Sequence, residues 1–274
     1  MASMQGNMLG EGKTAEVREY GEGKILKLYR DWVPAQQVDY EYRLSKLIYE
    51  QGVATPQPYE RIQVEDRQGI VYRQIMGPTL LKLMGRKPWR IFSCFRQMAE
   101  LHYSLHQLEG VGEAGGQKRL LERHISAAPI LNEDEKSQIL DQLALLPEGN
   151  KLCHGDFHPD NILMDDKLWV IDWMTGVSGN PAADVARSYI MFSIGALPEG
   201  PSSFTKHFIT FARQRMTAQY LRRYLRLSGL SRAEIEPWIL PVAAARLVEG
   251  LSFPEKELLV SEIRRRLAAL SAAQ

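Results

Sequence analysis

Hydrophobic and polar positions change their period once along this chain. Up to about residue 75 the apolar residues come in short runs bounded by glycine-containing turns. These runs, 8–11, 16–20 and 24–29, then 59–65 and 69–75, predict strands of a small sheet. One helix interrupts them. Val38, Leu44, Leu47 and Ile48 recur at helical spacing after Pro34, and Gly52 stops the pattern beyond Gln51. Gly77 and Pro78 then mark a break. Beyond it the period is helical. A long amphipathic run from Pro88 to Leu108 sets Phe92, Phe95, Met98, Leu101 and Leu105 on one broad face, with His102 and His106 one turn apart on it. Asn132 with Glu135, and Ser231 with Glu234, read as capping boxes that start two further helices. The stretch 110–116 is glycine-rich and predicts a loop. A strand, turn and strand are expected at Leu163-Met164, Asp165-Asp166-Lys167 and Leu168 to Ile171, because Asp accepts turn geometry.

Composition narrows the class. At 274 residues the chain is long enough for one large domain or two lobes. A hydrophobic share of 45% with 24% charged residues excludes a disordered chain. The formal net charge of +1 leaves no nucleic-acid footprint. Two cysteines, Cys94 and Cys153, are too few for a disulfide framework and suit a reducing compartment. The first ten residues lack a basic segment followed by an apolar core, and the apolar stretch near 189–197 is too short to span a bilayer. A cytoplasmic protein without a membrane segment is expected.

The chemistry concentrates in His154-Gly155-Asp156-Phe157-His158-Pro159-Asp160-Asn161, followed by Val170-Ile171-Asp172-Trp173. An Asp can take a hydroxyl proton. An Asn five residues later and an Asp at the end of a short apolar strand offer oxygen ligands to magnesium. Protein kinases use this order, His-x-Asp, four residues, Asn, then Asp-Phe-Gly. Asp156 is therefore the candidate base, and Asn161 and Asp172 the candidate metal ligands. Cys153, His154 and His158 also cluster, but a second ligand pair for zinc is missing. His154 reads as a histidine satisfied by backbone groups rather than one that carries a proton. In the strand 24–29, Lys27 leaves on the face opposite Leu26 and Leu28, so it is preferred to Lys24 as a phosphate partner. Gly10 and Gly12 lie in a turn whose backbone N–H groups can approach phosphates.

Two departures set this pattern apart from protein kinases. Gly155 stands where they carry Arg, and the last triplet is Asp172-Trp173-Met174. With Gly179-Asn180-Pro181-Ala182-Ala183-Asp184-Val185-Ala186, the motifs resemble those of the aminoglycoside phosphotransferase family, kinase-like enzymes that phosphorylate small molecules. The order Glu41, Leu44, Leu47, Gly52, Val53, Pro56 is similar to that family's first helix and the turn after it. The resemblance implies an α+β, two-lobed protein-kinase-like fold. A small antiparallel-sheet lobe with one helix, 1–76, would bind nucleotide. A larger, mainly helical lobe, 77–274, would carry the catalytic loop, 152–173, and the acceptor-binding helices. It implies that Glu41, rather than Asp39 or Glu50, holds Lys27, that Gln74, Ile75 and Met76 meet the adenine, and that Asp184 bonds the catalytic loop. The expected reaction is magnesium-dependent transfer of the γ-phosphoryl group of ATP or GTP to a hydroxyl of a small molecule. A protein kinase and a non-catalytic nucleotide-binding module are the alternatives. From Glu199 onward, twelve basic side chains face seven acidic ones, which disfavours a polycationic acceptor.

Overall fold

The short apolar runs in the first third of the chain become a sheet that packs on both of its faces. Strands β1 (Met8–Glu11), β2 (Ala15–Glu19), β3 (Lys24–Tyr29), β4 (Pro58–Val64) and β5 (Arg67–Arg73) lie within a residue or two of the expected bounds. They form an antiparallel sheet in the order β1-β2-β3-β5-β4, with Lys27 of β3 opposite Val17 and Ile70. In this computed structural model residues 6–111, 116–194 and 203–272 are described. Leu26 and Leu28 pack with Val64 and Val71 on one face, while Tyr29 packs with Ala15, Val38, Ile70 and Tyr72 on the other. Helix α1 (Ala35–Glu50) covers that second face. Its buried residues are Val38, Glu41, Leu44, Ser45 and Ile48, a helical stripe that carries one carboxylate among apolar neighbours. Gly52 ends the helix at a φ of 83°, which only glycine adopts without strain.

The described residues fall into two compact units, Met1–Arg86 with Pro159–Gly176, and Lys87–His158 with Val177–Gln274. The first therefore extends beyond the expected boundary at residue 76. Backbone bonding explains why. Pro78 O accepts from Met164 N at 2.9 Å, and Thr79 bridges to Leu163. Gly77 passes so close that a Cβ there would sit 1.9 Å from the Met164 carbonyl oxygen. The hairpin Ile162–Met164 with Leu168–Val170 and the short helix α2 (Leu80–Arg86) thus belong to the sheet unit. The segment 152–173, expected as one loop of the helical lobe, is divided between the units after His158.

The second unit is helical, with α3 (Ile91–Leu105), α4 (Gly116–Ala127), α5 (Glu133–Leu145), α6 (Pro181–Ser193), α7 (Ser203–Ser228), α8 (Arg232–Ala245) and α9 (Phe253–Ser271) among its described residues. Most of the loop expected at 110–116 lies outside the described residues. α8 is its centre and packs on α4, α5, α6 and α9. It is apolar nearly all round, with Trp238 and Val242 to Ala245 buried. Pro241 cannot donate to Pro237 O, and Gln142 Nε2 fills that place at 2.8 Å. Asn132 and Glu135 bond each other's backbone N–H at 2.8 and 3.0 Å, as a capping box requires. Ser231 N donates to Glu234 at 2.8 Å. The broad face read along α3 is shifted. Phe92 is 53% exposed, and the buried stripe runs through Phe95, Met98, His102 and Leu105. No helix among the described residues is long and apolar enough to cross a membrane.

Candidate active site

In the first unit a cavity of about 440 Å³ is lined by Leu9, Gly10 and Gly12, by Lys27 and Glu41, by Gln74 and Ile75, and by Leu163, Ile171 and Asp172. That is a volume suited to a small ligand. Lys27 is its electrostatic centre. Nζ lies 2.6 Å from Glu41 Oε1 and 2.9 Å from Asp172 Oδ1. Burial opposes the ammonium, but the charges of Asp172 and Glu41 outweigh it and hold Lys27 far above its usual range. Burial lifts the Glu41 carboxyl above its ordinary value, and Lys27 offsets part of that rise. Asp39 is engaged elsewhere, with Arg43 and Arg61.

Two local features aim the acids. Asp172 follows the strand Leu168–Val170 and turns the chain with a φ of 67°, a left-handed conformation that Asp tolerates better than most residues. Ile171 N donates to Asn161 O at 3.0 Å, so the backbones of Asn161 and Asp172 run side by side. Asn161 is 7% exposed. An amide oxygen and a carboxylate are hard donors, of the kind that could hold a magnesium ion. Asp160, next to Asn161, lines the cavity and accepts from Thr79 Oγ1 at 2.7 Å. Met76 is 77% exposed and is not among the residues of the cavity wall.

In the second unit the loop that carries Asp156 is fixed from below. Asp184 on α6 accepts from His154 N at 2.6 Å and Gly155 N at 2.9 Å. Its Oδ2 also meets His102 Nε2 at 3.0 Å and His106 Nε2 at 3.3 Å. Tyr220 and Tyr224 hydroxyls bond the other ring nitrogens, both at 2.6 Å. The two histidines are therefore core residues with both nitrogens satisfied. Burial drives His102 down to about 3, aided by His106 and opposed by Asp184. Burial would raise the Asp184 carboxyl, but the bonds from His102 and His106 hold it well below its range. Gly155 has a φ of 74°, which gives a physical reason for glycine where protein kinases carry Arg. His154 is buried, and its Nδ1 accepts from Asp156 N at 3.2 Å.

The Asp156 carboxylate is 32% exposed, with Arg187 Nη2 3.2 Å from Oδ1 and His158 Nε2 3.3 Å from Oδ2. Burial pushes its pKa up, but the His158 bond and the Arg187 charge win and keep it ionised. Arg187 is held in turn by Glu249, at 2.6 Å. Neither the contact of Arg187 with Asp156 nor that of Glu249 with Arg187 is legible in the sequence motifs. The signal available for Arg187 was its place three residues after Asp184, on the same side of a helix. Tyr29 was also missed. It follows Lys27 by two, hence shares its face, and its Oη donates to Glu41 Oε2 at 2.7 Å.

Comparison with known proteins gives a family and a fold. Residues 11–230 match the model of the phosphotransferase enzyme family. Human acyl-CoA dehydrogenase family member 11 is 26% identical over 185 residues, 58% of this chain and 23% of that protein. The chain thus spans under a quarter of the length of the curated relatives it matches. Among solved structures, an aminoglycoside-3'-phosphotransferase of type VIII superposes with a TM-score of 0.59 at 18% identity, over 89% of this chain and 92% of that one. The streptomycin–ATP ternary complex of APH(2'')-IIa does so with a TM-score of 0.53 at 13% identity, over 95% and 91%. At such identities the likeness establishes the fold, the two-lobed α+β architecture of kinases.

Proposed function

The chain belongs to the phosphotransferase enzyme family, and from that premise we propose that it is a magnesium-requiring kinase that moves the γ-phosphoryl group of ATP or GTP to a hydroxyl of a small molecule. One observation carries this reading. Lys27 stands at the wall of a ligand-sized cavity, clamped between Glu41 and Asp172. A lysine held between two carboxylates costs side-chain freedom and desolvation, and a role in seating phosphates accounts for it.

The residues divide the work. Lys27, oriented by Glu41, pairs with the nucleotide phosphates. Gly10 and Gly12 line the phosphate side of the cavity, with the Gly12 N–H donating to Ala15 O at 2.8 Å within the turn, and Gln74 and Ile75 meet the base. Asn161 and Asp172 would hold magnesium, which when bound neutralises phosphate charge. Asp156 orients the acceptor hydroxyl. As the hydroxyl oxygen bonds to the γ-phosphorus, the bond from phosphorus to the β-bridging oxygen breaks, the nucleoside diphosphate leaves, and the hydroxyl proton passes to Asp156. Arg187 and His158 keep that carboxylate ionised and fixed, so it contributes chiefly by orientation until the proton has become acidic.

The acceptor is not expected to be a polycation. Most glutamates of this segment are already bonded, Glu249 by Arg187 and Arg246, Glu255 by Arg246, Glu262 by Arg265 and Arg266, and Glu236 by Arg266, while Glu257 is exposed. Glu234 caps its own helix. Sugars, amino alcohols with one ammonium group and anionic alcohols fit better. The test is calorimetry with magnesium and ATP or GTP, followed by a panel of hydroxyl metabolites and antibiotics scored for nucleoside diphosphate release. Binding of magnesium-nucleotide with turnover on a weakly charged acceptor is expected. Low-micromolar use of kanamycin-like compounds would overturn the charge argument, and no nucleotide binding would overturn the kinase.

A further inference from the structure

Glu41 is a carboxylate with 1% exposure, and Lys27 satisfies only half of it. Nζ meets Oε1 at 2.6 Å, while Oε2 accepts from the hydroxyl of Tyr29 at 2.7 Å. Tyr29 is wholly buried. Its backbone is pinned as well, since Tyr29 O accepts from Arg67 Nε at 2.8 Å, and Glu16 holds Arg67 Nη1 at 2.9 Å. A second hydroxyl acts one turn along α1, where Tyr72 Oη lies 3.3 Å from Ser45 Oγ. Burial and the Glu41 charge push the Tyr29 phenol well above its ordinary range, so it remains a donor at any working pH.

Counting donors gives this bond a consequence. An ammonium has three N–H groups. One goes to Glu41 and one to Asp172, which leaves one for a phosphate oxygen. If Oε2 lost its tyrosine, a buried carboxylate oxygen would be left unsatisfied beside the same ammonium, which already bonds Oε1 at 2.6 Å. The carboxylate would then turn and draw a second N–H toward itself, in competition with the nucleotide.

We propose that Tyr29 is a positioning residue for nucleotide binding, which by occupying one oxygen of Glu41 keeps an N–H of Lys27 available to phosphate. The inference rests on the kinase reading above. It assigns a role to a residue two positions beyond the strand lysine, on the same face of β3.

The test is a double-mutant cycle read by magnesium-ATP calorimetry on the full chain. Tyr29→Phe keeps the ring and removes the hydroxyl, and should weaken ATP binding about three- to tenfold, the usual net weight of one hydrogen bond. Glu41→Gln should weaken it too. Adding Tyr29→Phe to Glu41→Gln should change affinity less than about twofold, because the tyrosine acts through the carboxylate. Thermal melts of all four proteins show that each is folded at the assay temperature. Tyr29→Phe that binds like wild type overturns the role, and so does an equal loss in both backgrounds, which would mark a merely structural effect. Wild type that binds no magnesium-nucleotide overturns the kinase reading itself, and this role with it. Should Tyr29→Phe not fold, Tyr29→His, which retains a donor, must restore ATP binding to within about threefold of wild type, and its failure to do so overturns the role.

Discussion

Single side chains are where the sequence spoke most clearly. Lys27 could be chosen over Lys24 because strand alternation separates it from Leu26 and Leu28, and the structure brings it to Glu41 and Asp172, 14 and 145 residues away. The acids of the two motifs were legible from spacing. Their partners were not. Arg187 reaches Asp156 across 31 residues, and no local period announces such a contact. Met76 was legible only as part of a stretch expected to meet adenine through its backbone, and its side chain is exposed. At this scale Asp172 offers a sharp prediction. Asp172→Ala should bind ATP more weakly in magnesium, and its affinity should no longer change when magnesium is replaced by a chelator. The side chain supplies both a metal oxygen and a partner for Lys27, while its partial exposure spares the fold. Calorimetry with and without magnesium measures this. Equal magnesium dependence in mutant and wild type would remove Asp172 from the metal site.

Elements were legible to the extent that their burial is periodic. β1 to β5 and α1 emerged within a residue or two because short apolar runs bounded by turns mark the strands and a helical stripe marks α1. The buried face of α3 was read too far toward its start, since Phe92 is apolar yet exposed, and hydrophobicity by itself cannot tell a core position from an exposed one. The link from α6 to the Asp156 loop is the element-scale device that matters most. Asp184 accepts from two backbone N–H groups of the loop and faces two histidines, with Asp184, His154 and both histidines buried. Asp184→Asn replaces an acceptor with donors that face donors. It should destabilise the protein by about 3 kcal/mol, as loss of a buried charged acceptor does. The midpoint of denaturant unfolding reports this, and an unchanged midpoint would mean the loop is held by something else.

At the scale of the whole molecule, the sequence indicated a small sheet followed by helices but not how the chain divides. The strand–turn–strand after Asn161 belongs to the sheet unit because backbone bonds at Pro78 and Thr79 claim it, and backbone bonds leave little trace in side-chain identity. Buried titratable groups give the molecule a pH signature. His102 titrates near 6.5 when unfolded and at about 3 when folded, so between those values the unfolded chain binds the extra proton. Asp184 is depressed from 3.8, and its contribution is also lost on acidification. Both signs agree: stability is full above about pH 6.5 and falls steadily toward pH 3. Melting temperatures across that range should decline with pH, and a flat profile would show that His102 is not held neutral. The central claim is that Asp156 serves transfer to an acceptor hydroxyl and not nucleotide binding. The most direct measurement compares wild type with Asp156→Asn on the best acceptor of the panel, by transfer of labelled γ-phosphate and by ATP calorimetry in magnesium. Transfer should fall by about 10²- to 10⁴-fold while ATP affinity stays within a few-fold of wild type; transfer at a near wild-type rate would contradict the account.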